Sequence, residues 1–242
     1  MDSFSLPSLV ESIADFRIEM VHSDPLICRE LEIPVNISLY DLSVIIQASL
    51  EWKWTRGWEF IVEGQRYGNP ILNDDYFSPP NLEDAQLVKL ESILDAHKVR
   101  IDYLYDYKDC WDHLLTVSHV RMGQPDKLYP RLIAAECAAP SERSGGVHAF
   151  NKWVREMGYK EGQGYLNPKN WIVNKGVTYQ NFKDIHKRLR TLALLRRELL
   201  MEGPEAVELQ GKKDFFALND IDKIIATPSQ RKPNHLPLNW VI

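Results

Sequence analysis

Residues 99–120, VRIDYLYDYKDCWDHLLTVSHV, constrain the fold more than any other part of the chain. Tyrosines occupy every second position from 103 to 107, the period of one face of a β-strand. A second alternating run begins at 111, after a turn near Lys108 and Asp109. The pattern predicts a β-hairpin with one aromatic face, formed by Tyr103, Tyr105, Tyr107, Trp111 and His113.

Composition places the chain among ordinary globular proteins. Its 242 residues suit one large domain, or a domain with an appendage, and the formal net charge of −5 gives no general attraction to nucleic acid or anionic membrane. Three separated cysteines without a CxxC pair argue against a disulfide framework and a cysteine zinc site. The acidic N-terminus does not resemble a signal peptide, and no apolar run reaches the roughly 20 residues that span a bilayer. We therefore expect a cytoplasmic protein.

The order of elements predicts an α+β class with a mixed or antiparallel sheet. An arm (1–15) precedes the α+β domain (16–157), which a mostly helical extension (158–242) follows. The domain opens with strands at 16–21 and 26–33 and a helix at 39–50, whose start is marked by a capping box of Ser38 and Asp41. Further strands are predicted within 58–67 and at 86–90, and short helices near 147–157 and 217–226. The extension contains the strongest helical pattern, at 179–201.

The hairpin residues carry a resemblance to a known family, the plasmid Ri open-reading-frame-three-like proteins, also described as insertion-element passengers. Members have the pattern Tyr-Asp-aromatic-Gly-Asp-x-Trp-x-His, which YDYKDCWDH at 105–113 matches except for Lys108 in place of glycine. PLICRELEIP, WEFIVEGQRYGNP and, more weakly, APSERSGG match other elements. The resemblance covers about 16–157.

The resemblance implies an α+β fold with a β-grasp-like hairpin, helix and strands at its start, carried on mobile elements. It implies no settled biochemical activity. Where many members have cysteines near the Gly-Gly element, this chain has Leu132, Ala139 and Ser144. We therefore expect no cysteine-based metal site, and no metal or cofactor.

Four polar residues of the hairpin suggest two interpretations. Asp106, Asp109, Asp112 and His113 have the chemistry of a metal site or an acid–base pair. Alternatively, the aspartates cap a tight turn and the histidine lies among aromatic side chains. We favour the second interpretation, because strand alternation places Asp112 and His113 on opposite faces.

For two further groups of residues, the sequence allows either a structural role or a role in binding. Tyr105, Trp111 and His113 suit either a flat recognition surface or a core packed against helix 39–50. Gly145 and Gly146, just before a helix, suit either an anion-binding turn or a plain turn.

The helix at 179–201 has an apolar stripe and a basic stripe. The apolar stripe, interrupted by Arg196, predicts packing against the α+β domain rather than a long coiled coil. The basic stripe would then face outward, either as a solvated surface or as a binding surface for nucleic acid or an acidic partner. It comprises Lys183, Lys187, Arg190 and Arg197.

Our leading hypothesis is a non-enzymatic accessory protein of a mobile genetic element that binds a protein partner and is itself a monomer. One alternative is a metal-dependent hydrolase acting on nucleic acid or nucleotide, centred on Asp106, Asp109 and His113. The other is a nucleic-acid-binding protein that uses the basic helix.

Overall fold

The computed structural model describes residues 10–53, 56–70, 79, 81–94, 99–142, 144–156 and 179–202, and in the last helix the side chains of 183–197. The predicted helix near 217–226, and most of the predicted arm, lie outside these residues.

The described residues contain eight strands and three α-helices in an α+β arrangement, which confirms the predicted class. The strands are β1 (Ser12–Met20), β2 (Cys28–Pro34), β3 (Trp58–Val62), β4 (Gln65–Gly68), β5 (Leu82–Asp84), β6 (Arg100–Tyr105), β7 (Trp111–Met122) and β8 (Arg131–Glu136). The helices are α1 (Leu39–Ser49), α2 (Gly146–Glu156) and α3 (Tyr179–Glu202), with a 3-10 turn at Leu90–Ser92.

All eight strands form one sheet in the order β5-β4-β3-β6-β7-β1-β2-β8. Only the β4–β5 pair is parallel. The central strand pair is β6–β7, which is the predicted 99–120 hairpin, and in it Tyr103 lies opposite His113 and Tyr105 opposite Trp111. One face of the sheet packs against the helices, while the other carries ion pairs such as Arg17 with Glu30.

The start of the domain follows the predicted course of hairpin and helix. Ser38 is the N-cap of α1: its hydroxyl accepts the Asp41 N–H at 3.0 Å, and the Asp41 carboxylate accepts the Ser38 N–H at 3.1 Å. This reciprocal pair is the predicted capping box. All but one of the α1 side chains are buried, because α1 lies between the sheet and α3.

Three strand assignments differ from the sequence prediction. Strand β1 begins at Ser12, inside the segment predicted as an arm. The predicted strand at 86–90 is wrong: the strand lies at Leu82–Asp84, and the Asp84 carboxylate then accepts the Gln86 N–H at 2.9 Å to form a turn. Strand β8 was not predicted, because its sequence RLIAAE has a single β-branched residue, Ile133, and no clear alternation.

Helix α3 packs within the chain, as its apolar stripe predicts. Ile185, Leu189 and Leu192 are fully buried, and the helix contacts α1 and β8. Arg196 does not interrupt this contact, because its guanidinium is itself buried and pairs with Glu11 at 2.6 Å. None of the helices within the described part of the chain is long and apolar enough to cross a membrane.

Candidate functional site

The aromatic face of the β6–β7 hairpin is core rather than surface. Tyr105 and Trp111 have no exposed surface. Trp52, which follows α1, stacks on Tyr105 at 4.9 Å between ring centroids and lies 5.7 Å from Trp111 and 5.5 Å from His113. We call Trp52, Tyr103, Tyr105, Trp111 and His113 the aromatic cluster. It leaves no open aromatic surface for a partner.

His113 is buried inside this cluster. The side chain is 1% exposed, and the backbone of Tyr103 and of Trp111 lies close to its ring nitrogens without forming a well-aligned hydrogen bond. Burial lowers the pKa of His113 to about 4, because an imidazolium there loses its hydration. The imidazole is therefore neutral at physiological pH.

The turn between β6 and β7 is built by Asp106. Its carboxylate oxygen accepts the N–H of Lys108 at 3.0 Å, its backbone oxygen accepts the N–H of Cys110 at 2.7 Å, and its φ is 60°. The other carboxylate oxygen lies 3.5 Å from the guanidinium of Arg56. An aspartate suits this place because its short side chain bonds the following amides and tolerates a left-handed backbone. In this turn Asp106 has a positive φ, whereas Lys108 does not. Lys108 therefore adds no backbone strain in the place of the family glycine.

The structure brings Asp109 together with the Gly-Gly pair. The Asp109 carboxylate accepts the Gly145 N–H at 3.1 Å, at the start of α2. A side-chain carboxylate of the chain itself therefore occupies the place that a bound anion would take at these amides. Gly146 has a φ of 81°, and a Cβ built on it would lie 2.3 Å from the Asp109 carbonyl oxygen.

We expect Gly146→Ala to destabilise the protein by about 2 kcal/mol or more, because it adds a collision with backbone to the roughly 1 kcal/mol cost of a left-handed alanine. Gly64→Ala is the matched control, since Gly64 has a φ of 85° with no atom within 4 Å of a built Cβ. Urea denaturation of both variants measures the difference. Equal losses would show that the approach of Asp109 to Gly146 is not tight.

Two residues that the sequence did not single out complete this region. Glu142 accepts the Tyr105 hydroxyl at 2.5 Å and the Lys53 N–H at 2.9 Å. Arg29 is 1% exposed and donates to four backbone carbonyls, those of Cys28, Ser49, Glu136 and Cys137. Arg29 lies in the segment PLICRELEIP that matches the family in the sequence, which was a usable signal. For Glu142 the sequence offered no such signal, because its hydrogen-bond partners are distant in sequence.

The basic stripe of α3 faces outward. Lys183, Lys187 and Arg190 are exposed, and Arg197 is half-buried. Lys187, Arg190 and Arg197 form no ion pair with the residues that the structure describes.

The hairpin candidates do not assemble into one reactive centre. His113 lies in the core, whereas Asp106 and Asp109 hold backbone amides at the turn. Within the described ranges, no three His, Cys, Asp or Glu side chains are placed to hold a metal ion. The arrangement stabilises the hairpin and holds the start of α2 against it.

Comparison with known proteins agrees with this fold. An uncharacterized protein, y4hQ of Sinorhizobium fredii, is 21% identical over 189 residues, covering 76% of this chain and 94% of y4hQ. The crystal structure of a protein of unknown function, MM3350 of Methanosarcina mazei Go1, is similar with a TM-score of 0.55 and 22% identity, covering 67% of this chain and 90% of MM3350. At this identity the second likeness shows the fold alone.

The family profile extends beyond the resemblance read from the sequence at both ends. It matches residues 12–185, so it includes all of β1 and the first turns of α3. The match covers well over half of the chain, and the aromatic hairpin lies at its centre. The chain belongs to the family of plasmid pRiA4b ORF-3-like proteins.

Proposed function

We propose that this is a non-enzymatic accessory protein of a mobile genetic element, which binds an acidic protein partner through the basic stripe of α3. The observation that carries the proposal is the outward position of Lys187, Arg190 and Arg197, without ion pairs among the described residues, on a chain of net charge −5. The plasmid origin of the family name supports the mobile-element context.

Two features favour a partner over a solvated face. The stripe lies on a helix whose opposite side is anchored by buried leucines and the Arg196–Glu11 pair, so the cations are presented on a fixed scaffold. Other arginines of the chain, such as Arg17 and Arg121, sit beside carboxylates of neighbouring strands. The net charge of −5 gives no general attraction to polyanions, so binding of either an acidic protein or nucleic acid would depend on the stripe itself.

We expect the double reversal Lys187→Glu/Arg190→Glu to abolish partner binding while leaving the fold intact, because both side chains are exposed. The measurement is quantitative mass spectrometry of proteins retained by the immobilised full chain, followed by calorimetry with the purified partner. The control is Arg100→Glu/Lys152→Glu, which changes the charge equally at side chains that are 71% and 74% exposed.

The outcomes separate the candidate functions. An acidic protein retained by wild type and control, but bound at least tenfold more weakly by the stripe variant, supports the proposal. Equal retention by all three chains contradicts it. A third outcome is that wild type binds a labelled duplex at about 50 mM salt, that this binding falls steeply with salt, and that the stripe variant does not bind. The stripe would then bind nucleic acid rather than an acidic protein.

A further inference from the structure

A small cavity lies beside the C-terminal end of the basic stripe, between α3 and the loop that joins β7 to β8. Its volume is about 20 Å³, room for about one water-sized group such as a carboxylate oxygen. Leu128 and Ala193 form apolar parts of its wall. Its charged lining has an excess of cations: Lys127, Arg196 and Arg197 against Glu11.

The loop wall of this cavity is held in place by its own hydrogen bonds. Gly123 donates its N–H to the Glu11 carbonyl at 2.8 Å, and Lys127 donates to the Gln124 carbonyl at 3.1 Å. The Tyr129 hydroxyl accepts the Gln124 N–H at 2.9 Å. Gly123 is required here, since a Cβ on it would lie 2.8 Å from the Tyr129 ring. The cavity is therefore preorganised, which lowers the entropy cost of binding.

Two of the three cations keep their charge available. Arg196 is neutralised, because the two Glu11 oxygens lie 2.7 and 2.6 Å from its guanidinium nitrogens. Lys127 pairs only with Asp126, a sequence neighbour whose side chain is 72% exposed, and such surface pairs are weak. Arg197 forms no ion pair with the described residues. A group bound in the cavity would therefore meet Arg197, which has no ion pair among the described residues, and Lys127, whose surface pair with Asp126 is weak enough to be exchanged for a better placed anion.

We propose that this cavity receives the carboxylate of a glutamate or aspartate side chain of the acidic protein partner, held between Lys127 and Arg197. The inference rests on the proposed function and adds an anchor point to it. Arg197 follows Arg190 by two helical turns and so extends the same stripe to the cavity mouth.

The test uses two matched small probes on the ¹⁵N-labelled full chain. N-acetyl-glutamate N-methylamide carries the side-chain carboxylate, and the N-acetyl-glutamine analogue lacks it. At constant ionic strength we expect saturable shifts of the Lys127, Leu128 and Arg197 amides with the first probe and none with the second. Lys127→Gln/Arg197→Gln should lose these shifts, and should bind the purified partner at least tenfold more weakly.

Each other outcome overturns the inference. Equal shifts with both probes would show that no carboxylate is recognised, and saturable shifts with inorganic phosphate alone would make the cavity a phosphate site. If Lys187→Glu/Arg190→Glu abolishes partner binding but Lys127→Gln/Arg197→Gln changes neither partner nor probe binding, the anchor is wrong and the proposed function stands. If both variants bind the partner as tightly as wild type, the proposed function itself is contradicted.

Discussion

Trp111→Ala should lower the free energy of unfolding by about 3–5 kcal/mol, the range for deleting a large buried aromatic side chain. Trp111 has no exposed surface and packs beside Trp52 at the centre of the sheet. Its indole nitrogen has no hydrogen-bond partner among the described residues, so the loss comes from packing and the cavity left behind. Urea denaturation monitored by circular dichroism measures it.

Leu87→Ala is the control, since Leu87 is 82% exposed and its truncation should change stability by less than about 0.5 kcal/mol. Trp111→Phe should lie between the two, because it keeps an aromatic ring in the cluster. A Trp111→Ala protein as stable as wild type, yet defective in partner binding, would place Trp111 at a binding surface and contradict its burial.

The elements predicted correctly are those with local signals. The alternation of 99–120 located β6 and β7, the alternation within 58–67 with Gly64 at its turn located β3 and β4, and Ser38 with Asp41 marks the start of α1. Each signal lies within a few residues of the structure that it specifies. The same holds for α3, whose apolar spacing predicted both the helix and its packing within the chain.

Contacts between distant segments escaped prediction. Alternation showed that Tyr105, Trp111 and His113 share a face, but not whether that face is covered. The face is covered because Trp52, which follows α1 in the chain, stacks on Tyr105. Likewise Asp109 and Gly145 are both visible in the sequence, but no local pattern pairs residues 36 positions apart.

His113 should make the protein lose stability on acidification. Burial lowers its pKa from 6.5 to about 4, so between these values the unfolded chain binds a proton that the folded chain does not. Stability therefore falls as the pH drops through this window, by up to about 3 kcal/mol. Below pH 4 the loss is complete, because both states are then protonated.

The contribution of His113 is measured as a difference, because burial raises the pKa of Asp41 and Glu59 and these carboxyl groups act in the opposite direction. We expect His113→Leu to lose less stability than wild type between pH 6.5 and 4 in urea denaturation. The histidine proton resonances of the folded wild type supply a readout independent of the variant. A His113 resonance that titrates near pH 6.5 in the folded protein would show that its imidazole is reached by water, and the aromatic cluster would then be open rather than closed around it.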